Sequence, residues 1–367
     1  STNQLDEIVV TGLATNVKRS NLANAVASIG ASEISGVTSQ PTMEGALYGK
    51  IKGADIRSNS GAPGGGMSIK LRGVTSIFGS QQPLYIVDGV FMDNSTISLG
   101  TNVVSAAAGG GNTASNQDDA SNRIADLITE DIESIEVLKG ASASGIYGSR
   151  AAAGVVIITT KKGKVGSTQI SYNSYYGWQN TAEEVEALDA QGLGEYLYLA
   201  DYYAGKTPSH GQYAFSGTPE NPGVSIPNYV FPSGASSANE SLYSLTPDNI
   251  YAITKSANTN WWDEVTRSNA PITSHQIQAS GATETSQYAF TANYFSQDSP
   301  VQFVGYERAS IRLNSSTKTL GDRLTIGENF TLSLDNRKGG YGNNGEQNAV
   351  SVSYKHHPLL PNYDIAG

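Results

Sequence analysis

Residues 125–163 read ADLITEDIESIEVLKGASASGIYGSRAAAGVVIITTKKG, and residues 64–90 read GGGMSIKLRGVTSIFGSQQPLYIVDGV. Both stretches alternate short runs of Ile, Val and Leu with glycine-rich breaks, a pattern typical of short strands bounded by turns. The predicted strands are Ala54–Arg57, Met67–Arg72, Leu84–Val87, Ser134–Leu138 and Val155–Thr160. Two short helices are predicted at Pro41–Tyr48 and Ala141–Tyr147. The N-terminal part of the chain is therefore predicted to be an α+β domain.

The order and spacing of these motifs resemble the plug domain of TonB-dependent outer-membrane transporters. The resemblance is strongest to the SusC/RagA branch, which imports oligosaccharides or peptides. It implies a TonB box and linker at residues 1–20, a plug at residues 21–165, and a transmembrane β-barrel of 22 strands when complete, of which residues 166–367 would supply the N-terminal part.

Composition changes sharply near residue 165. Of the 31 Phe, Tyr and Trp residues, five precede Val165 and 26 follow it. Residues 1–165 hold 13 Lys and Arg against 14 Asp and Glu, whereas residues 166–367 hold 10 against 19. Two physically different domains are therefore expected to meet here.

Residues after 165 alternate between apolar and polar side chains with a period of two. The pattern covers segments around Ile170–Trp178, Tyr288–Tyr294, Arg308–Asn314, Arg323–Leu334 and Val350–Tyr354. A barrel wall between lipid and water has this alternation, but so does a soluble β-sandwich. The plug resemblance favours the barrel, with Ile170, Tyr172, Leu332 and Leu334 toward lipid and Gln169, Ser171, Thr331 and Ser333 toward the lumen.

A long insertion, extracellular by the resemblance, is expected at about residues 181–270, with a helix over Ala187–Tyr203. About six strands can be counted. An open sheet of six lipid-facing strands would leave unpaired edges in the bilayer. We therefore expect the chain to be part of a longer protein. Ser1–Asp6 lacks the features of a signal peptide and is expected to be a mature or trimmed N-terminus.

The segment LDEIVVTG at residues 5–12 resembles the TonB box. The resemblance makes Leu5, Asp6, Glu7, Ile8, Val9 and Val10 the candidate residues for binding TonB. An extended, β-branched segment can bind a partner by strand addition, in which main-chain hydrogen bonds supply the affinity. The alternative is an ordinary first strand of the plug.

Arg72 and Arg150 lie beside small residues at the edges of short predicted elements. The resemblance implies that they pair with carboxylates of the barrel wall and form a latch that holds the plug. Glu307 and Glu328 are the wall candidates. The alternative is that both arginines are ordinary surface residues.

Several other functions are excluded or disfavoured. The chain has no cysteine, which rules out disulfides and thiolate metal sites, and a net charge of −10, which argues against nucleic-acid binding. No catalytic constellation, resident metal or cofactor is predicted, so the protein is not expected to be an enzyme. The loop Asn116–Asp119 could hold calcium near Asp118, but a solvated loop is the simpler interpretation.

The resemblance implies TonB-dependent import of a glycan or peptide across a Bacteroidota-type outer membrane. The implied partners are a SusD-like surface lipoprotein, TonB with ExbB and ExbD, and outer-membrane lipid. One alternative is a receptor for siderophores or cobalamin. Another is a non-transporting scaffold or adhesin on the same barrel. The substrate-binding residues and the substrate itself cannot be identified from this sequence.

Overall fold

The computed structural model describes sixteen parts of the chain. They are residues 8–11, 15–18, 26–35, 47–58, 62–65, 67–71, 82–92, 96–97, 121–122, 127–139, 147–181, 186–226, 228–230, 254–321, 323–339 and 349–362. Most of the predicted helices Ala141–Tyr147 and Pro41–Tyr48 lies outside these residues, as does the loop Asn116–Asp119.

Strands and helices are numbered in chain order. The N-terminal strands are β1 (Ile8–Thr11), β2 (Thr15–Lys18), β3 (Val26–Gly30), β4 (Ala54–Ser58), β5 (Met67–Leu71), β6 (Leu84–Val87), β7 (Val90–Met92), β8 (Thr96–Ile97), β9 (Ser121–Asn122), β10 (Ile132–Leu138) and β11 (Val155–Thr160). Next come β12 (Gly166–Gln179), β13 (Ala214–Thr218), β14 (Asn221–Ser225), β15 (Tyr229–Val230), β16 (Thr254–Lys255), β17 (Ala270–Ala282), β18 (Ser286–Asp298), β19 (Gly305–Thr319) and β20 (Leu324–Lys338). The helices are α1 (Ala31–Ser35), α2 (Ala190–Tyr203), α3 (Trp261–Val265) and α4 (Ala349–Ser353). Two 3-10 turns cover Thr129–Asp131 and Ser149–Ala151.

The N-terminal domain is built on a mixed sheet with strand order β3-β10-β11-β6-β7. Strand β10 pairs antiparallel with β3 and β11, and β11 pairs parallel with β6. The run VVIITT in β11 is almost wholly buried, because both faces of the sheet are covered. A tight turn at Asp88 (φ 47°) and Gly89 (φ 85°) joins β6 to β7, as an Asp-Gly pair favours.

A second sheet, which we call the wall sheet, contains β12, β17, β18, β19 and β20 in that order, each antiparallel to its neighbour. Its strands are 13 to 15 residues long, more than the roughly 9–11 residues that a tilted strand needs to cross a bilayer. Turns 283–285 and 320–323 at one end of the sheet are short. The other end carries the long connections 180–269 and 339 onward. Such asymmetry is typical of outer-membrane barrels, whose long loops are extracellular.

The two faces of the wall sheet differ in polarity. On the central strands Gln276 is 3% exposed and Ile277 50%, and Arg312 is 7% exposed and Ile311 44%. One cross-strand row carries Tyr172, Ile277, Ala292, Ile311 and Leu332, and the adjacent row carries Ser171, Gln278, Thr291, Arg312 and Thr331. The polar row contacts the N-terminal domain, so the register agrees with the predicted inward orientation of Ser171 and Thr331.

The predicted strand at Val350–Tyr354 is wrong. This segment forms α4. Its three apolar residues alternate with polar residues, as they would in a strand, and a helix of five residues is too short to show a helical period. The structure also contains β17, which the sequence pattern did not predict as a strand, because Ser, His, Ala and Gly interrupt its apolar face. None of the described helices is long and apolar enough to span a bilayer.

Residues 180–269, 300–302 and 344–367 form a separate compact unit. Asp189 is the N-cap of helix α2, and its Oδ1 accepts a 2.7 Å hydrogen bond from the Gly192 N–H. The helix packs on the β13–β14 hairpin, and the buried side chains of Ala190, Tyr213 and Leu359 form the core of this unit. The predicted helix Ala187–Tyr203 is thus observed, starting three residues later.

Leu332 offers a test of the lipid-facing row. We expect Leu332→Arg to cost about 2–4 kcal/mol of unfolding free energy if the residue lies near the bilayer midplane, because the guanidinium would enter hydrocarbon. Denaturant unfolding in lipid vesicles measures this cost. Thr331→Arg is the neighbouring control, since Thr331 shares its row with Arg312, and an equal or larger cost for that variant would mean that the faces are reversed.

Candidate functional site

The N-terminal domain meets the wall sheet through polar side chains. Among the residues that the structure describes, three contacts of this interface are one around Asp88, one around Asp131 and one at Gly64. Each joins a turn of the N-terminal domain to inward-facing residues of the wall sheet. Two of the three turns follow from local sequence signals, the Asp-Gly hairpin at Asp88 and the glycine-rich turn at Gly64.

Asp88 forms an ion pair with Arg312 of β19. The pair is deeply buried, since the Arg312 and Asp88 side chains are only 9% and 7% exposed. Asp88 Oδ1 also accepts from the Thr160 N–H at 2.9 Å, and Oδ2 accepts from Thr160 Oγ1 at 2.6 Å. On the wall side, Asn329 Nδ2 donates to Asp88 Oδ2 at 2.8 Å and Arg312 Nη2 donates to Thr160 Oγ1 at 2.8 Å. Every oxygen of this carboxylate is thus satisfied, as a buried charge requires.

Asp131 is the second contact. It ends the 3-10 turn before β10 and is 3% exposed. Its Oδ1 accepts hydrogen bonds from Gln276 Nε2 at 2.7 Å and from Thr291 Oγ1 at 3.1 Å, while Oδ2 lacks a partner among the described residues. Burial raises the pKa of the Asp131 carboxyl to about 6, although Thr291, Arg312 and Lys161 act in the opposite direction.

Gly64 is the third contact. Its φ of 66° is a conformation that glycine adopts readily, and a Cβ here would lie only 2.4 Å from the Tyr306 ring of β19. Arg337 of β20 donates from Nη2 to the Gly64 carbonyl at 2.8 Å, and its guanidinium lies 5.4 Å from the Tyr306 ring centre. The glycine therefore lets the wall approach the turn closely enough to bind its backbone.

The two predicted latch arginines are not part of these three contacts. Arg72 lies outside the described residues. Arg150 is exposed in the turn Ser149–Ala151, with its guanidinium 5.9 Å from the Phe91 ring centre. No ion pair joins Arg150 to a carboxylate among the residues that the structure describes. The latch role of Arg72 and Arg150 stays a prediction.

Glu307 and Glu328 do not face the N-terminal domain. Glu307 lies on the same face as Ile311 and pairs with Lys338 at 2.9 Å, and Glu328 accepts from Ser315 Oγ at 3.1 Å. Their selection as lumenal wall carboxylates was wrong, because both occupy the outward positions of the strand alternation. The charges that do meet across the interface have the opposite arrangement, with carboxylates on the N-terminal domain and the arginine on the wall.

The candidate TonB-binding residues are described only in part. Leu5, Asp6 and Glu7 lie outside the described residues. Ile8, Val9 and Val10 belong to β1, which pairs antiparallel with β2 in the register Ile8 to Lys18 and Thr11 to Thr15. The segment is thus extended, as strand addition requires, and one of its edges already has a partner.

Comparisons with known proteins agree with this architecture. Residues 18–155 match the TonB-dependent Receptor Plug Domain family. The chain is 30% identical over 364 residues to the TonB-dependent receptor SusC of Bacteroides thetaiotaomicron and 29% identical over 375 residues to the TonB-dependent receptor P3 of Formosa agariphila. These alignments cover 99% and 100% of this chain. The chain spans 29% of the length of each relative.

Among solved structures, the RagAB peptide importer in its 'open-open' state superimposes with a TM-score of 0.66 at 24% identity, covering 91% of this chain and 33% of the importer chain. This likeness shows a shared fold. The predicted fold class, an α+β plug followed by strands of a large antiparallel barrel, is confirmed. Residues 18–155 are therefore identified as a TonB-dependent receptor plug domain, and the chain as a whole is similar to SusC/RagA-like TonB-dependent receptors of the bacterial outer membrane, with five wall strands among its described residues.

Proposed function

We propose that the full-length protein imports an oligomeric nutrient, a glycan or a peptide, across the outer membrane by TonB-dependent transport. TonB with ExbB and ExbD would supply the force, and a SusD-like surface lipoprotein would close over the substrate. The observation that carries this proposal is the polar character of the contact between plug and wall. No covalent chemistry is part of the proposal.

A polar contact suits a plug that must move. Hydrogen bonds to water can replace those of Asp88, Asp131 and Gly64 when the plug leaves the wall, so each bond to a charged group contributes only about 1.5–3 kcal/mol net. The Asp88–Arg312 pair also fixes the position of the plug while it is docked. An apolar interface of the same extent would have no such exchange with water and would resist opening, because opening would expose apolar surface.

The proposed site of TonB action is the segment Leu5–Val10. Strand β1 pairs with β2 on one edge, and strand addition by TonB would use the other edge. A pull on this segment then acts on the N-terminal end of the plug. The choice between glycan and peptide rests on relatives that differ: one is the receptor SusC, and another is named a peptide importer.

Proline substitutions in β1 test this proposal. Proline removes the backbone N–H and fixes φ, and the N–H direction alternates along a strand. Of Ile8→Pro and Val9→Pro, we expect the variant whose N–H faces the free edge to abolish energy-dependent uptake. The other variant should mainly weaken pairing with β2. Uptake of a labelled substrate by whole cells and pull-down of TonB by the purified receptor measure the two effects.

Val17→Pro is the matched control, because Val17 pairs with Val9 from the β2 side. It should disturb the hairpin without touching the edge proposed for TonB. Wild-type uptake and TonB binding by both β1 variants would show that the coupling site lies elsewhere. If deletion of residues 5–12 leaves uptake intact, TonB does not drive transport by binding this segment. A protein that assembles and binds ligand but never transports would be a scaffold.

A further inference from the structure

The unit formed by residues 180–269, 300–302 and 344–367 contains a cavity of about 520 Å³ that is not part of the plug–wall contact. Its walls are the segment before α2, the segment leading into α3, and the turn after α4. The volume lies within the range of about 300–1,000 Å³ that is common for small-molecule sites. These segments belong to the long connections of the wall sheet, which outer-membrane barrels place outside the cell.

Two pairs of aromatic rings line the cavity. The ring centres of Trp261 and His356 are 4.9 Å apart, and those of Trp262 and Tyr354 are 5.5 Å apart. Trp261 Nε1 donates to the His357 carbonyl at 3.1 Å, which ties α3 to the turn after α4. These contacts hold the rings in place before any ligand arrives.

Carboxylate and amide groups also line the cavity. Glu186, Asp189 and Asn258 come from the chain around the start of α2 and from the segment before α3. Asp189 uses Oδ1 to cap α2, and Asn258 uses Oδ1 to accept from the Ala190 N–H at 2.8 Å. Each keeps a second polar atom that these bonds do not use, and Glu186 is exposed. Such groups accept or donate hydrogen bonds to hydroxyls.

The charge of the lining indicates which ligands fit. Glu186 and Asp189 bring two negative charges, against one positive charge on Lys355. Burial lowers the pKa of the His357 imidazole, so this side chain is neutral at pH 7 and adds no positive charge. An anionic ligand would therefore meet repulsion, and a neutral polar ligand would not.

A peptide fits the cavity less well. Extended peptides bind by adding a strand to a sheet edge, and the described cavity lining contains helices and loops but no strand. A pyranose ring has C–H faces that stack on aromatic rings and hydroxyls at its rim that bond to carboxylates and amides. A lining that combines aromatic rings with carboxylate and amide groups matches that chemistry.

We propose that this cavity binds a neutral sugar unit of an oligosaccharide, stacked on the Trp262–Tyr354 surface and hydrogen-bonded to Glu186 and Asp189. This inference rests on the proposed import function and assigns it a substrate class. The cavity then acts as a binding subsite that selects neutral glycans.

Isothermal titration of the full-length receptor in detergent tests the proposal. The probes are neutral hexasaccharides of α-1,4-glucan, β-1,4-glucan, β-1,3-glucan, β-1,4-xylan and β-1,4-mannan, a sulfated galactan hexasaccharide, and a tryptic digest of casein. We expect at least one neutral hexasaccharide to bind. Tyr354→Ala and Glu186→Gln should each weaken it about 5- to 10-fold, as the loss of one stacking or hydrogen-bonding contact predicts. Binding only of peptides or of the sulfated probe, or of no probe, would overturn the proposal.

Tyr203→Ala and Glu220→Gln are the matched controls. Tyr203 is an exposed tyrosine that also pairs with a neighbouring ring, and neither residue lines the cavity. They should leave affinity unchanged, and equal weakening by the controls would mean that the cavity is not the binding site. Energised uptake of the bound sugar separates the two proposals. Binding without uptake refutes import but keeps the subsite, whereas uptake and affinity unaffected by Tyr354→Ala and Glu186→Gln refute the subsite alone.

Discussion

Replacing Arg312 by methionine is expected to destabilise the docked plug by about 3 kcal/mol, the lower end of the range for breaking a buried ion pair. Asp88 would remain buried with its negative charge. Three donors would still reach it, from the Thr160 N–H, Thr160 Oγ1 and Asn329 Nδ2, which is why the loss should not reach the upper end of about 5 kcal/mol. Limited proteolysis of the plug in detergent, followed over denaturant concentration, measures the docking free energy.

A double-mutant cycle isolates the pair. Asp88→Asn keeps the turn, because asparagine tolerates the positive φ at this position. The double variant should lose less than the sum of the two single variants, since no uncompensated charge remains. Arg323→Met is the control, because Arg323 is an exposed arginine in the short turn before β20. A change below about 0.5 kcal/mol for Arg312→Met would show that the pair does not hold the plug.

Docking of the plug is also expected to strengthen as pH falls from 7 toward 4, through Asp131. Its pKa is raised from 3.8 to about 6 in the folded protein, so the docked state binds more protons than the undocked state between these values. The penalty for burying the ionised carboxyl is fully present above pH 6 and absent below pH 3.8. The difference corresponds to about 3 kcal/mol. Arg312, Lys161 and Glu130 are the charged groups that influence Asp131 and must be kept intact in this measurement.

Asp131→Asn should remove most of this pH dependence and stabilise docking at pH 7.5. The amide carbonyl can still accept from Gln276 and Thr291, and no charge is buried. Proteolysis of wild type and variant at pH 5 and pH 7.5 gives the comparison, with Glu133→Asn as a control at an exposed carboxylate of β10. Parallel pH curves for wild type and Asp131→Asn would assign the pH dependence to other groups.

Much of the fold follows from local sequence patterns. Strands β6 and β11 have the predicted bounds, because their Ile- and Val-rich runs end at Asp88-Gly89 and at the lysine-rich junction. The wall strands β12, β19 and β20 alternate strongly and were predicted. Strand β17 was not predicted, because its sequence, APITSHQIQASGA, has few apolar residues at outward-facing positions. Small or weakly polar residues are sufficient in a barrel strand where neighbouring residues cover its face.

The site was harder to predict, because it depends on pairing between residues distant in sequence. Arg150 was selected for its small neighbours, whereas the arginine that pairs with Asp88 is Arg312, 224 residues away in sequence. A signal did exist. Arg308 and Arg312 lie four residues apart on the polar face of β19. Two arginines that point into a plugged lumen require hydrogen-bond acceptors there. Nothing in the sequence identifies Asp88 or Asp131 as the acceptors before the parallel pairing of β6 with β11 is known.

The order of strands in the plug sheet has a mechanical consequence. Strand β3 lies at the end of the order β3-β10-β11-β6-β7, and its five residues pair with β10 alone. The chain before it leads back toward the segment Leu5–Val10. Within this sheet, tension applied at the N-terminus therefore acts on the edge strand β3 first. Separating β3 breaks only its pairing with β10, while the pairings of β10 with β11 and of β11 with β6 stay intact. The sheet would therefore open first at the β3 edge, while Asp131 before β10 and Asp88 after β6 still join the remaining strands to the wall.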